Sequence, residues 1–155
     1  MEKYRARVLL ALAFVLMATS ASWAAVIGIS NIAGLAFGRF VAGSGGTVTV
    51  SPGGMRSAGG GAILVPSDAG AAAQFLVSGD ANLTYAISLP VNGLVSLANG
   101  ANTMAVNDFT SSPNLTGLLS AGGTQPLLVG ATLSVGNNQA TGSYSGMFYV
   151  TVNYN

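Results

Sequence analysis

The chain has 155 residues, half of them apolar, with five basic and four acidic side chains and neither cysteine nor histidine. That excludes disulfides, thiol chemistry and cysteine-ligated metals, and it denies any serine nucleophile the imidazole base of a Ser-His pair. The charges are also uneven: Glu2, Lys3, Arg5 and Arg7 crowd the start, and only Arg39, Arg56, Asp68, Asp80 and Asp108 follow.

The apolar run Val8 to Met17 follows the basic start and leads into Ser22-Trp23-Ala24. A charged region, a short apolar region and a small-x-small site together predict a cleavable secretory signal over residues 1–24. The run is too short for a transmembrane helix, which needs ~20 apolar residues. No cysteine follows to carry a lipid. The expected mature chain, residues 25–155, is one domain of 131 residues with no further membrane span. That size can bury a core without disulfides. It holds two arginines against three aspartates, and no Lys or Glu. A nucleic-acid partner needs a basic patch, and none is present.

Short alternating segments then succeed one another along the chain. Ala25, Ile27, Ile29, Asn31 and Ala33 alternate with Val26, Gly28, Ser30 and Ile32, enough for one strand. Thr47 to Val50 is β-branched throughout and ends at the turn Ser51-Pro52-Gly53-Gly54. Ala62 to Val65 is stopped by Pro66, and Gln74 to Val77 runs into the turn Gly79-Asp80-Ala81-Asn82. In Leu83 to Leu89 the residues Leu83, Tyr85, Ile87 and Leu89 share one face, which is the strand period. Val95 to Leu97 and Thr103 to Val106 follow, and after Pro126 come Leu127 to Val129 and Ala131 to Val135. The longest strand is expected last, with Tyr144, Gly146, Phe148, Val150, Val152 and Tyr154 on one face. The glycine groups at 43–46 and 59–61 read as bulges or tight turns. About eight to ten short strands separated by turns, with no helical period, predict an all-β, immunoglobulin-like antiparallel β-sandwich.

Chemistry-bearing patterns are missing. Gly142-Ser143-Tyr144-Ser145-Gly146 has the spacing of a nucleophile elbow, but tyrosine stands where the serine should be. Asp68 and Asp80 sit in turn sequences, and Asp108 lies near an expected strand end. Isolated aspartates supply neither a glycosidase pair nor a calcium loop. No phosphate-cradling glycine motif occurs. The strand aromatics read as packing residues. The expectation is therefore a non-catalytic protein with no cofactor and no metal. Two classes remain: a structural subunit, or a monomeric module that recognises glycan or host protein through the loops 59–61 and 110–116.

Several segments also resemble, in order, the bacterial family known as domain of unknown function 4402. They are Leu35-Ala36-Phe37-Gly38, Gly46 to Val50, Ala73-Gln74-Phe75, Val77-Ser78-Gly79, Tyr85 to Pro90, Val129 to Leu133, Gly142 to Gly146 and Val150 to Tyr154. Such proteins look like fimbrial subunits of the chaperone–usher kind from Gram-negative bacteria. The resemblance implies export across the inner membrane, passage through the periplasm, and assembly at the cell surface as a homo-oligomer or fibre. It implies a periplasmic chaperone and an outer-membrane usher as partners. It also implies strand exchange as the means of assembly. Tyr154 is penultimate and Gly142 is the fourteenth residue from the end, positions matching those of chaperone-bound pilins. The assembly residues so implied are Ile27, Ile29, Gly142, Phe148, Val150, Val152 and Tyr154. On this view residues 25–34 are either a strand donated to a neighbour or the domain's own first strand. Pilins of this kind often carry a disulfide, which this chain cannot form.

Overall fold

The computed structural model describes residues 25–155; the expected signal segment, residues 1–24, lies outside them. Twelve strands and no helix form among the described residues. In the first half they are β1 (Gly28–Ala33), β2 (Phe40–Val41), β3 (Gly46–Val50), β4 (Arg56–Gly60), β5 (Ile63–Leu64) and β6 (Ala73–Ser78). In the second half they are β7 (Thr84–Ser88), β8 (Val95–Asn99), β9 (Asn102–Ser112), β10 (Thr116–Leu118), β11 (Thr124–Val135) and β12 (Thr151–Tyr154). All pairings are antiparallel. β1, β6, β11, β3 and β4 make one sheet in that order, with β9 also on β11 and β8 on β9. β10-β7-β12 is a second sheet, and β2-β5 a third.

β11 organises the large sheet. Along one edge it pairs first with β6, through Thr124 to Val129, and then with β3, through Ala131 to Val135. Along the other it pairs with β9, through Leu128 to Leu133. The changeover falls at Gly130, where a Cβ would collide with the Val50 carbonyl oxygen and with Ser51. Only glycine lets two successive strands abut one neighbour so closely. Pro126 sits inside β11 instead of stopping it. β9 reaches no further than Leu128, so one edge of β11 has no partner there, and an open edge tolerates proline.

Alternation along β11 feeds two apolar cores. Leu127 and Val129 enter a core with Ala73, Val77, Tyr85, Ile87, Leu119 and Val152. Ala131, Leu133 and Val135 enter another, with Phe37, Val48, Val50, Val95, Met104 and Val106. Leu35, Phe109 and Phe148 pack against both. Phe148 meets Phe75 edge-on at 6.2 Å between ring centres and Phe109 at 5.1 Å. Fully buried Tyr85 donates its hydroxyl to Gln125 Oε1 at 2.8 Å, and the same oxygen accepts the Leu118 N–H at 2.9 Å.

The all-β expectation matches the structure, and several boundaries do not. The two segments expected on either side of Gly130 are one strand. Gly59 and Gly60 belong to β4, leaving Gly61 in the turn after it, and Thr110 to Ser112 belong to β9 and Thr116 to β10, leaving residues 113–115 as the loop between them. Asp108 lies within β9 at a bulge with φ of 49°, its N–H donating to Asn92 Oδ1 at 2.8 Å. The expected long last strand is only β12; residues 144–150 precede it as irregular chain.

Two predictions follow from the packing of β11 and β7. Gly130→Ala should lower stability by about 1–3 kcal/mol, the usual cost of overpacking, seen as a lower urea midpoint with unchanged slope. Burial pushes the Tyr85 hydroxyl above its ordinary pKa of 10.0. Below pH 10 it is protonated in folded and unfolded chains alike; as the pH rises further, the unfolded chain ionises first and stability falls. Tyr85→Phe should show a shallower loss of thermal midpoint across that alkaline window than the wild type.

Candidate functional site: a seam between the first and last strands

Among the described residues β1 pairs only with β6, and β12 only with β7. They lie beside each other without pairing. Each therefore presents one unpartnered edge at a seam between the two larger sheets. A single side chain ties the seam at its end: the Tyr154 hydroxyl accepts the Asp80 N–H at 2.7 Å and donates to the Val26 carbonyl at 3.3 Å.

Beyond the strands the seam opens into a cleft. Its narrow part, about 250 Å³, lies between Asn31, Gly34, Leu35 and Phe37 on one wall and Gly146 to Tyr149 on the other, over Val95, Leu97 and Val106. Its wide part, about 700 Å³, continues between Leu35 to Ala42 and Gln139 to Gly146, over Leu97, Met104 and Leu133. Leu35, Phe37, Leu97 and Gly146 belong to both parts, so the cleft is continuous.

The C-terminal wall has an unusual combination of properties. From Met147 to Val150 the side chains alternate: Met147 and Tyr149 are 79% and 78% exposed, while Phe148 and Val150 turn inward onto the cores. This is strand-like alternation. Yet Gly146 to Val150 make no main-chain hydrogen bond among the described residues. The last pairing before them is Ser145 with Ala98, and the next after them is Thr151 with Ser88. Five consecutive residues thus lack a main-chain partner, and the last four alternate between exposed and partly buried.

Both walls are fixed from behind. Arg56 on β4 donates to the carbonyls of Phe37 at 2.9 Å, Arg39 at 3.0 Å and Val65 at 2.8 Å, stapling the N-terminal wall to β4 and β5. Ala36 exchanges main-chain bonds with Ala71 at 2.8 and 2.7 Å. On the other wall, a Cβ at Gly146 would strike the Ser96 carbonyl oxygen, and one at Gly142, where φ is 147°, would strike Asn99 Nδ2. Glycine at these two positions lets the wall lie against β8.

The seam gathers most of the residues singled out in the sequence. Ile27, Ile29, Phe148, Val150 and Tyr154 pack around the core that buries Val152. Gly142 stands apart, at the wide end of the cleft. Residues 28–33 are the domain's own first strand, seated on β6. Arg56, Asn99 and Leu97 were missed. Arg56 alone had a signal, as one of two cations in the expected mature chain, set in a glycine-rich segment where a charge has no local role.

Residues 27–154 match the family described as Domain of unknown function (DUF4402). The chain belongs to this family. No curated protein and no solved structure matches it. The DUF4402 match spans both walls of the cleft and all of β1 and β12, so both strands at the seam are family sequence.

The Arg56 staple yields a test of how the DUF4402 cleft is held. Arg56→Ala should cost about 2–3 kcal/mol, the scale of charge-assisted hydrogen bonds, read from urea denaturation. Arg56→Lys should recover only part, because one ammonium nitrogen cannot stand where both guanidinium nitrogens do, one donating to Phe37 and Arg39 and the other to Val65.

Proposed function

We propose that this DUF4402 chain is a non-catalytic structural subunit of a bacterial surface fibre, an immunoglobulin-like module joined to its neighbours by β-strand exchange at the seam. The observation that carries the reading is the wall Gly146 to Val150, which has strand-like alternation over an apolar cleft and no main-chain partner. Unpartnered edges invite pairing, and proteins that stay apart usually blunt them with charge or proline. This seam is not blunted. Residues 139–155 and 25–38 contain no charged side chain and no proline. An added strand would supply main-chain bonds for affinity, and alternate side chains would fix the register.

The remaining parts of the reading come from the likeness to chaperone–usher subunits: export through the inner membrane, a periplasmic chaperone, an outer-membrane usher and final display at the cell surface. The non-catalytic reading is supported by the lack of histidine and cysteine, by Asp108 being engaged by Asn92, and by Asp68 being the one carboxylate that lines the cleft.

Cell-surface extracts run on a detergent gel test this directly. Unboiled samples should show a ladder of multimers that collapses to monomer on boiling. A single monomer band in both lanes, from correctly exported protein, would overturn the reading in favour of a self-contained surface module.

A further inference from the structure

We propose that Asn99 is a modification site, its side-chain amide lost to attack by the Gly100 nitrogen, while the fold spares the same dipeptide at Asn92–Gly93. This chemistry does not depend on strand exchange.

These two are the chain's only Asn-Gly pairs. In such a pair the glycine N–H gives its proton to water or hydroxide, and the nitrogen attacks the asparagine Cγ. A nitrogen–Cγ bond forms, the Cγ–Nδ2 bond breaks, and ammonia departs after taking up a proton from water. Water then opens the resulting ring to aspartate or isoaspartate, with nothing oxidised or reduced. Glycine permits this best, because no Cβ shields its nitrogen and its dihedrals are free. The reaction needs a glycine N–H free to lose its proton and an asparagine amide free to turn.

Asn92–Gly93 meets neither condition. The Gly93 N–H donates to Asn107 Oδ1 at 2.9 Å. Asp108 holds the Asn92 amide on both sides. Asn92 Nδ2 donates to Asp108 Oδ1 at 2.9 Å, and Asn92 Oδ1 accepts the Asp108 N–H at 2.8 Å. Aspartate at position 92 would also set a carboxylate against that of Asp108, and like charges so close repel.

Asn99–Gly100 meets both. Asn99 pairs with Asn102, so Gly100 and Ala101 are the two-residue tip of the β8–β9 hairpin. Gly100 is exposed, with φ of 60° and open space where a Cβ would stand. Among the described residues its N–H has no main-chain partner. The side-chain bond at this tip, from Asn102 Nδ2 to the Asn99 carbonyl at 3.5 Å, leaves the Asn99 amide itself free. That amide lies against Gly142, where a Cβ would strike its Nδ2.

The new carboxylate would therefore face Gly142 at the wide part of the cleft. It would stand one residue from Ala98, whose main-chain bonds to Ser145, at 2.8 and 3.1 Å, hold the C-terminal wall. Isoaspartate would also add a carbon to the main chain at that point, so the modification reaches the wall.

Mass spectrometry of the exported protein, held folded in mildly alkaline buffer, tests this. Cleavage at Leu94 or Leu97 separates the two pairs. The Asn99 peptide should gain the mass of amide-to-acid exchange, faster as the pH rises, and should contain isoaspartate. The Asn92 peptide should stay intact in the folded chain and convert in urea. Asn107→Ala, which frees the Gly93 N–H, should let Asn92 convert while its urea transition shows the chain still folded. A folded wild type in which Asn99 stays intact, or in which Asn92 converts as fast, would overturn the proposal. A folded Asn107→Ala chain with Asn92 still intact would overturn the protection assigned to the Gly93 bond.

Discussion

A twelve-residue strand with partners on both edges sets the rest of this fold. β11 takes β6 and β3 in succession on one side and β9 on the other, so strands distant in sequence are brought to one ladder. Because side chains alternate along it, the same inward face supplies both cores. The arrangement works only if the changeover between β6 and β3 occurs without a side chain, and Gly130 meets that need. β1 and β12 are then left at the margins, each with one partner, because no further strand among the described residues reaches the space between them.

The seam is coupled to the interior more tightly than its exposure suggests. Phe148 stands on the unpaired wall, yet its ring contacts Phe75 and Phe109, and it packs against both cores. Leu35 does the same from the opposite wall. Anything that orders Gly146 to Val150 therefore also orders the junction of the two cores. Such aromatic pairs add about 0.5–1.5 kcal/mol beyond the area they bury.

Which parts were legible in the sequence follows from the range of the forces involved. Strands such as β3 and β7 were readable because local alternation and β-branching decide them. The merger of two apparent strands into β11 was not, since Pro126 and Gly130 look like breaks until their open edge and close neighbour are known. β12 shows the converse. Its alternating pattern extends back through Phe148, but alternation records which side chains face the core, while strand formation needs a partner for the main chain. The partner ends at Ser88, and so does the strand. Arg56 was invisible as a staple because the carbonyls it holds belong to residues 37, 39 and 65, whose meeting is a property of the fold alone.

The same long-range contacts explain why the cleft stays open. Two apolar walls facing each other across a narrow gap would ordinarily close, since closure removes apolar surface from water. Here each wall is committed elsewhere. The N-terminal wall is held by Arg56 and by the Ala36–Ala71 bridge, and the C-terminal wall by Ser145 on Ala98 and by β12 on β7. Closing the gap would break those bonds, among them the one Arg56 makes to the carbonyl of buried Phe37. A strand supplied from outside breaks none of them. Under the strand-exchange proposal it would meet an unpaired main chain with its inward side chains already seated. The walls are thus held apart by bonds that each makes elsewhere in the fold.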